Sequence, residues 1–584
     1  MIYIDTGPKI LEYLPDIKKR QTIGFDTETT GLDPLKNKVL LIQLGDEFEQ
    51  YVVDVHKVGV EIFTLLEWVA STKVAVICHN AKFDYAFIKS NFDVSIQNIK
   101  CTMLGEQLLT AGRKNKVGLA PVVDKYLGIE LSKGEQMSFV DMTLGQSFTE
   151  NQLKYAGDDV KVLIPLYKKI QSLLDARGMR ELSSLEYETL RVTADIELNG
   201  LYLDTKKWLA LKDYAEEKAL EAKKTLDGHF ATHCQTDLFG DLDVNYNSPK
   251  QLVPLLSKIT GRPLSSTSEA ALKKIKHPVI KALTTYREHQ KRVTTYGQDF
   301  CDKYISSVDN RIHSDFKQLG ADSGRYASRN PNMNNIPSDK KYRAAFTAQD
   351  PDYRIISADF SGQELRLLAH ITQEPKFLDA LEKGIDLHTN SASLIFNKPY
   401  DSITKDQRTA AKSLTFGLIY GIGPMKLSAN LDIDIRQAKY LMNRYFTTFP
   451  YIKKTLDVLV AEAKKNKYAY SPLDKRRRDL ATFDWDNSRE VAHAVNIAKN
   501  LPFQGAGASV TKYALCALSN KIHKKDLDAQ IINVIHDEIL VEVHKDDADE
   551  TAKVVESEMI AAFNHFAPSV PMVVDAAIDT CWLH

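Results

Sequence analysis

The chain has 584 residues, 43% of them apolar and 26% charged, with a formal net charge of −1, which leaves room for three or four globular domains of roughly 150 residues each. No apolar run approaches the roughly 20 residues that span a bilayer. Residues 1–14 carry no basic leader, and six scattered cysteines include no CxxC, so membrane insertion, secretion, a disulfide framework and a zinc site are all set aside in favour of a reducing cytoplasm, the host's if a phage encodes the chain.

Charge balance alone does not announce a nucleic-acid binder, but acids gathered in metal sites can cancel a basic cleft elsewhere. There is no fixed-period repeat and no low-complexity tract. Residues 1–175 read as alternating strands and helices, with apolar runs at 39–44 and 74–78 as buried strands. Asp26 and Glu28 stand two apart at the end of the strand-like run 23–31, so both carboxylates face the same way. Like charges on an apolar strand are costly unless a cation lies between them, and oxygen-only ligands favour Mg²⁺ or Mn²⁺. Asp84 follows the strand ending at Cys78, in His79-Asn80-Ala81-Lys82-Phe83-Asp84. Tyr155 and Asp159 share one face of a helix, with Asp158 turned outward. Any one of these taken alone is more often a solvated strand edge or helix face.

Together, in this order, they resemble the DEDDy proofreading exonucleases: Asp-x-Glu, Asn-x-x-x-Asp, Tyr-x-x-x-Asp. The resemblance implies an RNase-H-like fold, two metals held by Asp26, Glu28, Asp84 and Asp159, an attacking water positioned by Tyr155, and an active nuclease, since no ligand is replaced.

From about residue 173 to 224 the pattern is helical and charged. Turn signals at 247–249 and 265–268 follow, then helical periodicity from 268 to 305. The last 250 residues mix strands and helices, as an α+β core does. Residues 355–366 deliver Asp359 at the end of an apolar strand and Glu364 in the helical pattern behind it. In residues 408–421, Arg408, Lys412, Phe416 and Tyr420 recur every fourth position on one winding face, basic at its start and aromatic at its end. Two fixed cations can clamp a triphosphate, and an aromatic one turn on can stack on a base. The same spacing also suits an amphipathic helix with solvated cations and core aromatics. Residues 531–543 are two apolar strands around His536-Asp537-Glu538, a hairpin tip that places Asp537 beside a metal, or an ordinary acidic turn.

Residues 359–366, 408–421 and 536–538 match motifs A, B and C of the family A DNA polymerases, in the family's order, and the chain is identified on them as a resembling member. The resemblance implies a multidomain α/β and α+β chain. An exonuclease domain spans 1–175 and a right-hand polymerase 176–584, with thumb about 190–310, palm about 311–375 and 480–584, and fingers about 376–479. By it, Asp359 and Asp537 hold two Mg²⁺ ions (Mn²⁺ as a substitute), as the exonuclease carboxylates hold another two, and Glu538 supports them. Arg408 and Lys412 bind the phosphates of the incoming dNTP, Lys412 protonating the pyrophosphate. Phe416 stacks on its base, Tyr420 borders the template position, and His388 joins the nucleotide site. Glu364 closes the pocket against a 2′-hydroxyl. Residues 322–328 and 330–337 resemble the template–primer segment. There Arg325 reaches the minor groove, with Asn332 and Asn335 nearby, and Gln504 and His536 do similar work. In the minor groove the acceptors are nearly alike for all correct pairs. Arg476 and Arg477, in the run 475–478, read as phosphate contacts or as a solvated charge run.

The sequence departs from the family at Asp474-Lys475, where Gly is usual before the arginines, at Asn496, which aligns with an Arg, and at Gly362-Gln363 within motif A. No long thumb insertion suggests a thioredoxin-type clamp, no 5′-nuclease segment precedes Met1, and a monomer acting on primer–template DNA is expected. A single-subunit RNA polymerase, a nuclease with an inert polymerase remnant and a non-catalytic DNA-binding scaffold are the rivals. Glu364 and the complete carboxylate sets speak against them.

Overall fold

The fold is that of a computed structural model, which describes residues 1–131, 134–236, 242–273 and 275–583. Contacts divide the chain into two units: Met1–Gly200, Ser314–Asn334 and Asp352–Ile578 form one, and Leu201–His313, Asn335–Pro351 and Asp579–His584 the other.

The first unit contains two larger sheets beside the two-stranded pairs Asp315–Lys317/Ala327–Arg329 and Tyr468–Tyr470/Arg477–Asp479. The N-terminal sheet has six strands in the order Ile2–Ile4, Gln50–Asp54, Val39–Gly45, Thr22–Thr29, Ala75–Cys78, Ile99–Cys101. Val39–Gly45 alone runs antiparallel to its neighbours. All seven of its residues are buried, which accounts for its unbroken apolar run where strict alternation would mark a half-exposed strand. The second sheet orders Ala529–Ile535, Glu538–His544, Tyr353–Phe360 and Val574–Asp579. The 38-residue helix Ser488–Lys525 and the helix Ala548–Phe566 lie against each other beside it. Between the strand Tyr353–Phe360 and that long helix the chain forms seven α-helices from Gln363–Thr372 to Pro450–Asn466. Among them, Lys405–Ile419 opens on a Thr404–Gln407 capping box.

In the second unit the 26-residue helix Thr205–Phe230 packs along Pro278–Thr295. Trp208, fully buried, has the rings of Phe300, Tyr342, Phe346 and Tyr296 at 5.0, 5.3, 5.7 and 5.9 Å, the tilted and edge-on geometry aromatic clusters prefer. The helical periodicity read from 268 to 305 is broken into Glu269–Leu272, Pro278–Thr295 and Gln298–Tyr304. His277 is extended ahead of Pro278, as a residue before proline tends to be. Among the described residues no helix is long and apolar enough to cross a membrane.

Candidate active sites

At the first carboxylate cluster, the strand Thr22–Thr29 carries Asp26 and Glu28, and the helix Glu150–Lys161, opened by a Thr149–Gln152 capping box, carries Tyr155 and Asp159. Gly24 permits their approach: a Cβ there would lie 2.6 Å from the Val160 carbonyl oxygen, so only a bare backbone lets helix and strand meet. The ligand atoms of Asp26, Glu28 and Asp159 fall within 4.8 Å of one another. Asp84 sits in the first turn of Ala81–Phe92, is 1% exposed, and accepts a hydrogen bond from the Thr27 hydroxyl at 2.8 Å. Asp158 is exposed.

Burial and crowding raise the pKa values of these acids. Burial, then Asp84, Glu28 and Asp159, raise the Asp26 carboxyl well above its ordinary range. Burial, then Asp159 and Asp84, bring Glu28 to about 9. Burial lifts Asp84 to about 7 against the Thr27 hydrogen bond, and Asp159 to about 7 against that from Tyr155. Burial, then Asp159 and Glu28, push the Tyr155 phenol up, keeping it a neutral hydrogen-bond donor. A buried set of hard oxygens that repel one another when ionised fits a divalent cation such as Mg²⁺ or Mn²⁺.

At the second, Asp359 lies near the end of Tyr353–Phe360, directly opposite Glu538. Ile535 pairs with Glu538, so His536 and Asp537 form a two-residue turn with His536 at φ 56°, and Asp537 comes out beside Asp359. Burial first, then Asp537, Glu538 and Asp575, raise Asp359 to about 7. Burial raises Asp537 as well, with Arg325 opposing. Asp575, on the neighbouring strand Val574–Asp579, escapes sequence reasoning because only the sheet order brings it near.

Around this pair the helix Lys405–Ile419 buries Ala411, Leu414, Thr415 and Leu418 and leaves Arg408 and Lys412 exposed and Phe416 and Tyr420 half-buried, so the basic-aromatic face is not a core face. Phe416 stacks on Tyr420 at 6.3 Å and meets the His388 ring at 5.8 Å. Burial, and to a lesser degree Lys412 and Arg408, lower His388 to about 4. Glu364 accepts from both Arg325 and Tyr420, and Gln504 also reaches the Tyr420 hydroxyl. Arg408 donates to Asp386 from Nε at 3.0 Å and Nη2 at 2.9 Å. Burial pushes Asp386 up, but Arg408 and the Thr389 hydroxyl and N–H outweigh it and hold Asp386 well below the usual carboxylate range. Asp386 was not among the expected site residues; its one sequence signal is its position ahead of the helix Leu387–Phe396, which it caps.

Asn332 and His536 are exposed in the first unit and Asn335 is exposed in the second. Two departures from the family pattern gain a physical reason. Gly362 takes φ 66° at the strand-to-helix turn, a conformation glycine adopts freely, and Gln363 is 3% exposed against Gly507, where a Cβ would lie 2.6 Å from its Oε1. Asn496 packs on Gly421, leaving no room for a Cβ there.

The structure corrects one assignment. Arg476 is no phosphate contact: its side chain is 2% exposed and donates to Glu186 at 2.8 Å, Asp474 at 3.2 Å and Ser509 at 3.3 Å. A guanidinium with three buried acceptors stays inside. Arg477, half-buried in the strand Arg477–Asp479, donates to the Arg177 carbonyl at 3.0 Å and lies over the Tyr468 ring.

A nuclease-type acid cluster in one domain, and in another an acid pair at strand ends faced by a basic-aromatic helix, define an enzyme that builds nucleic acid and carries a separate nuclease domain. The chain belongs to DNA polymerase family A, whose family model matches residues 213–584, and a 3′-5′ exonuclease model matches residues 1–175; it is a DNA-directed DNA polymerase with a 3′→5′ exonuclease domain. It is similar to DNA polymerase I of Aquifex aeolicus, 30% identical over 96% of this chain and 95% of that protein. It is also similar to DNA polymerase I of Borreliella burgdorferi, 29% identical over 96% of this chain and 62% of that one. In fold it resembles the POL domain of Pol1 from M. smegmatis, solved with DNA primer-template and dNTP, at a TM-score of 0.87 and 23% identity, covering 100% of this chain and 99% of that chain.

Proposed function

We propose that the chain extends a primer 3′-hydroxyl with dNTPs on a DNA template at Asp359 and Asp537, and removes misincorporated 3′-terminal nucleotides at Asp26, Glu28, Asp84 and Asp159. The reading is supported above all by the register that sets Asp359 opposite Glu538 with Asp537 in the adjoining turn. Two Mg²⁺ ions at each site, or Mn²⁺ in their place, would lower the pKa of the attacking oxygen and neutralise charge on the phosphate. The chain's residues do the rest. Arg408 and Lys412 bind the triphosphate, and the Lys412 ammonium gives a proton to the departing pyrophosphate. Phe416 stacks on the incoming base, with His388 packed beside it, and Glu364 excludes a 2′-hydroxyl. Arg325, Gln504 and His536 touch the primer–template minor groove, Asn332 and Asn335 lie near it, Arg477 stays near the backbone, and Tyr155 orients the hydrolytic water.

The domain assignment goes with this reading: exonuclease 1–175 and polymerase 176–584, divided into thumb, palm and fingers at about 190–310, 311–375 with 480–584, and 376–479. The enzyme acts as a cytoplasmic monomer without a thioredoxin-type clamp. In the test, Asp26→Ala abolishes Mg²⁺-dependent degradation of single-stranded 3′ ends while extension with dNTPs, but not with ribonucleotides, continues. Undiminished degradation, or ready extension with ribonucleotides, overturns the reading.

A further inference from the structure

The turn that carries Arg325 is gripped from two sides. From beneath, the buried Lys512 ammonium donates to the carbonyls of Gln318 at 2.9 Å and Gly324 at 2.8 Å. Arg476 packs so closely that a Cβ on Gly324 would meet its guanidinium carbon at 2.3 Å. Within the turn, Gly324 N–H donates to Ala321 O at 2.8 Å and Ala321 N–H to Arg325 O at 3.2 Å. The other grip comes from the exonuclease domain. The Gly112 N–H donates to the Asp322 carboxylate at 3.3 Å, and Arg478 holds that carboxylate at 2.9 Å. The same exonuclease loop is fastened to the strand bearing Arg478: Asp479 N–H donates to Ala111 O at 2.8 Å and Arg113 Nε to Asp479 Oδ2 at 2.8 Å. Gly112, at φ 88°, comes so near that a Cβ would lie 2.7 Å from Asp479 O.

We propose that Asp322 is a positioning residue for Arg325, through which the exonuclease-domain loop 110–113 steadies the polymerase's check on the primer terminus. It rests on the reading of Arg325 as a minor-groove contact. A correctly paired end gains from an Arg325 already aimed at it, whereas a mispaired end, whose groove edge is displaced, gains little. Loosening the Asp322 grip therefore slows extension of matched ends more than of mismatched ends and shifts the enzyme toward excision.

The experiment measures extension of matched and mismatched primers, and the ratio of dNTP incorporation to excision, for wild type, Asp322→Ala, Asp322→Asn, Arg325→Ala and the Asp322→Ala/Arg325→Ala double variant. Hydrolysis of single-stranded DNA serves as the control for a folded exonuclease domain. The expected result is a fall of roughly two- to fivefold in the matched-to-mismatched ratio for Asp322→Ala, the scale of partly exposed polar contacts. Asp322→Asn, which keeps the shape and loses the charge, falls less, so a poorly folded Asp322→Ala still leaves an answer. The Asp322 effect vanishes in the Arg325→Ala background. If Arg325→Ala lowers the ratio while neither Asp322 variant does, or if the two effects multiply independently, the proposal is overturned and the Arg325 reading stands. If Arg325→Ala leaves the ratio unchanged, the Arg325 reading itself fails.

Discussion

Single residues decide what enters the polymerase site. Phe416 stacks on Tyr420, and under the proposed function its lack of a hydroxyl would discriminate against dideoxynucleotides. Phe416→Tyr should raise the incorporation of dideoxy- relative to deoxynucleotides by tenfold or more, about 1.4 kcal/mol of differential binding, in competitive extension assays; an unchanged ratio contradicts the assignment. Asp386 holds Arg408 by two hydrogen bonds, a grip that under the proposed function would position Arg408 for the triphosphate. Asp386→Ala should raise the KM for dNTP about two- to fivefold, as fits a half-exposed pair, with a smaller change in kcat. The acids of both sites and the four-residue rhythm of Arg408, Lys412, Phe416 and Tyr420 were legible before any fold, but only because their local spacing also matches family motifs in the family's order; the spacing alone left ordinary turns and solvated faces open. Asp386 and Asp575 were not, because nothing in their own segments signals which strand or helix lies beside them.

At the scale of elements, one helix and one hairpin carry the argument. The helix with Tyr155 and Asp159 reaches the strand with Asp26 and Glu28 over the bare backbone of Gly24. Gly24→Ala should push it away, costing about 1–3 kcal/mol as overpacking does and lowering exonuclease activity while polymerase activity persists. Thermal denaturation and the two activity assays check this. The hairpin Tyr468–Tyr470/Arg477–Asp479 shows why a run of four cations misled sequence reasoning. Charge runs are ordinarily solvated, and although Asp474 stands two residues before Arg476, nothing local reveals that Glu186 and Ser509 converge on it from elsewhere. Breaking a buried pair by removing one partner costs about 3–5 kcal/mol. Arg476→Ala should therefore lower stability by that order and leave the salt dependence of DNA affinity unchanged. A folded variant whose binding loses salt dependence would return Arg476 to the DNA contacts.

For the whole molecule, the exonuclease cluster links metal, protons and stability. Glu28, Asp84 and Asp159 titrate at about 7 to 9 in the folded chain, above ordinary values near 4, and Asp26 is pushed well up as well. A raised folded-state pKa gives stability that is complete below the unfolded value and lost as pH rises through the folded one. Without divalent cations that stability therefore drains away as pH rises from about 4 to about 9, and the domain is most strained above it, where the cluster is fully ionised. Adding Mg²⁺ should raise Tm little at pH 5 and clearly at pH 8, by about 2–4 °C per kcal/mol recovered for a domain of 150–250 residues. A gain independent of pH, or retained in full by Asp26→Asn, contradicts the cluster as the metal site.

The central claim, two separate acid sites each with its own chemistry, is met most directly by following one mismatched primer with Mg²⁺ and dNTPs. Wild type should trim the mispaired nucleotide and then extend, Asp26→Ala should leave the mismatch untrimmed yet extend a matched primer, and Asp537→Ala should trim without extending. A single substitution that abolishes both trimming and matched extension in a folded protein would contradict it.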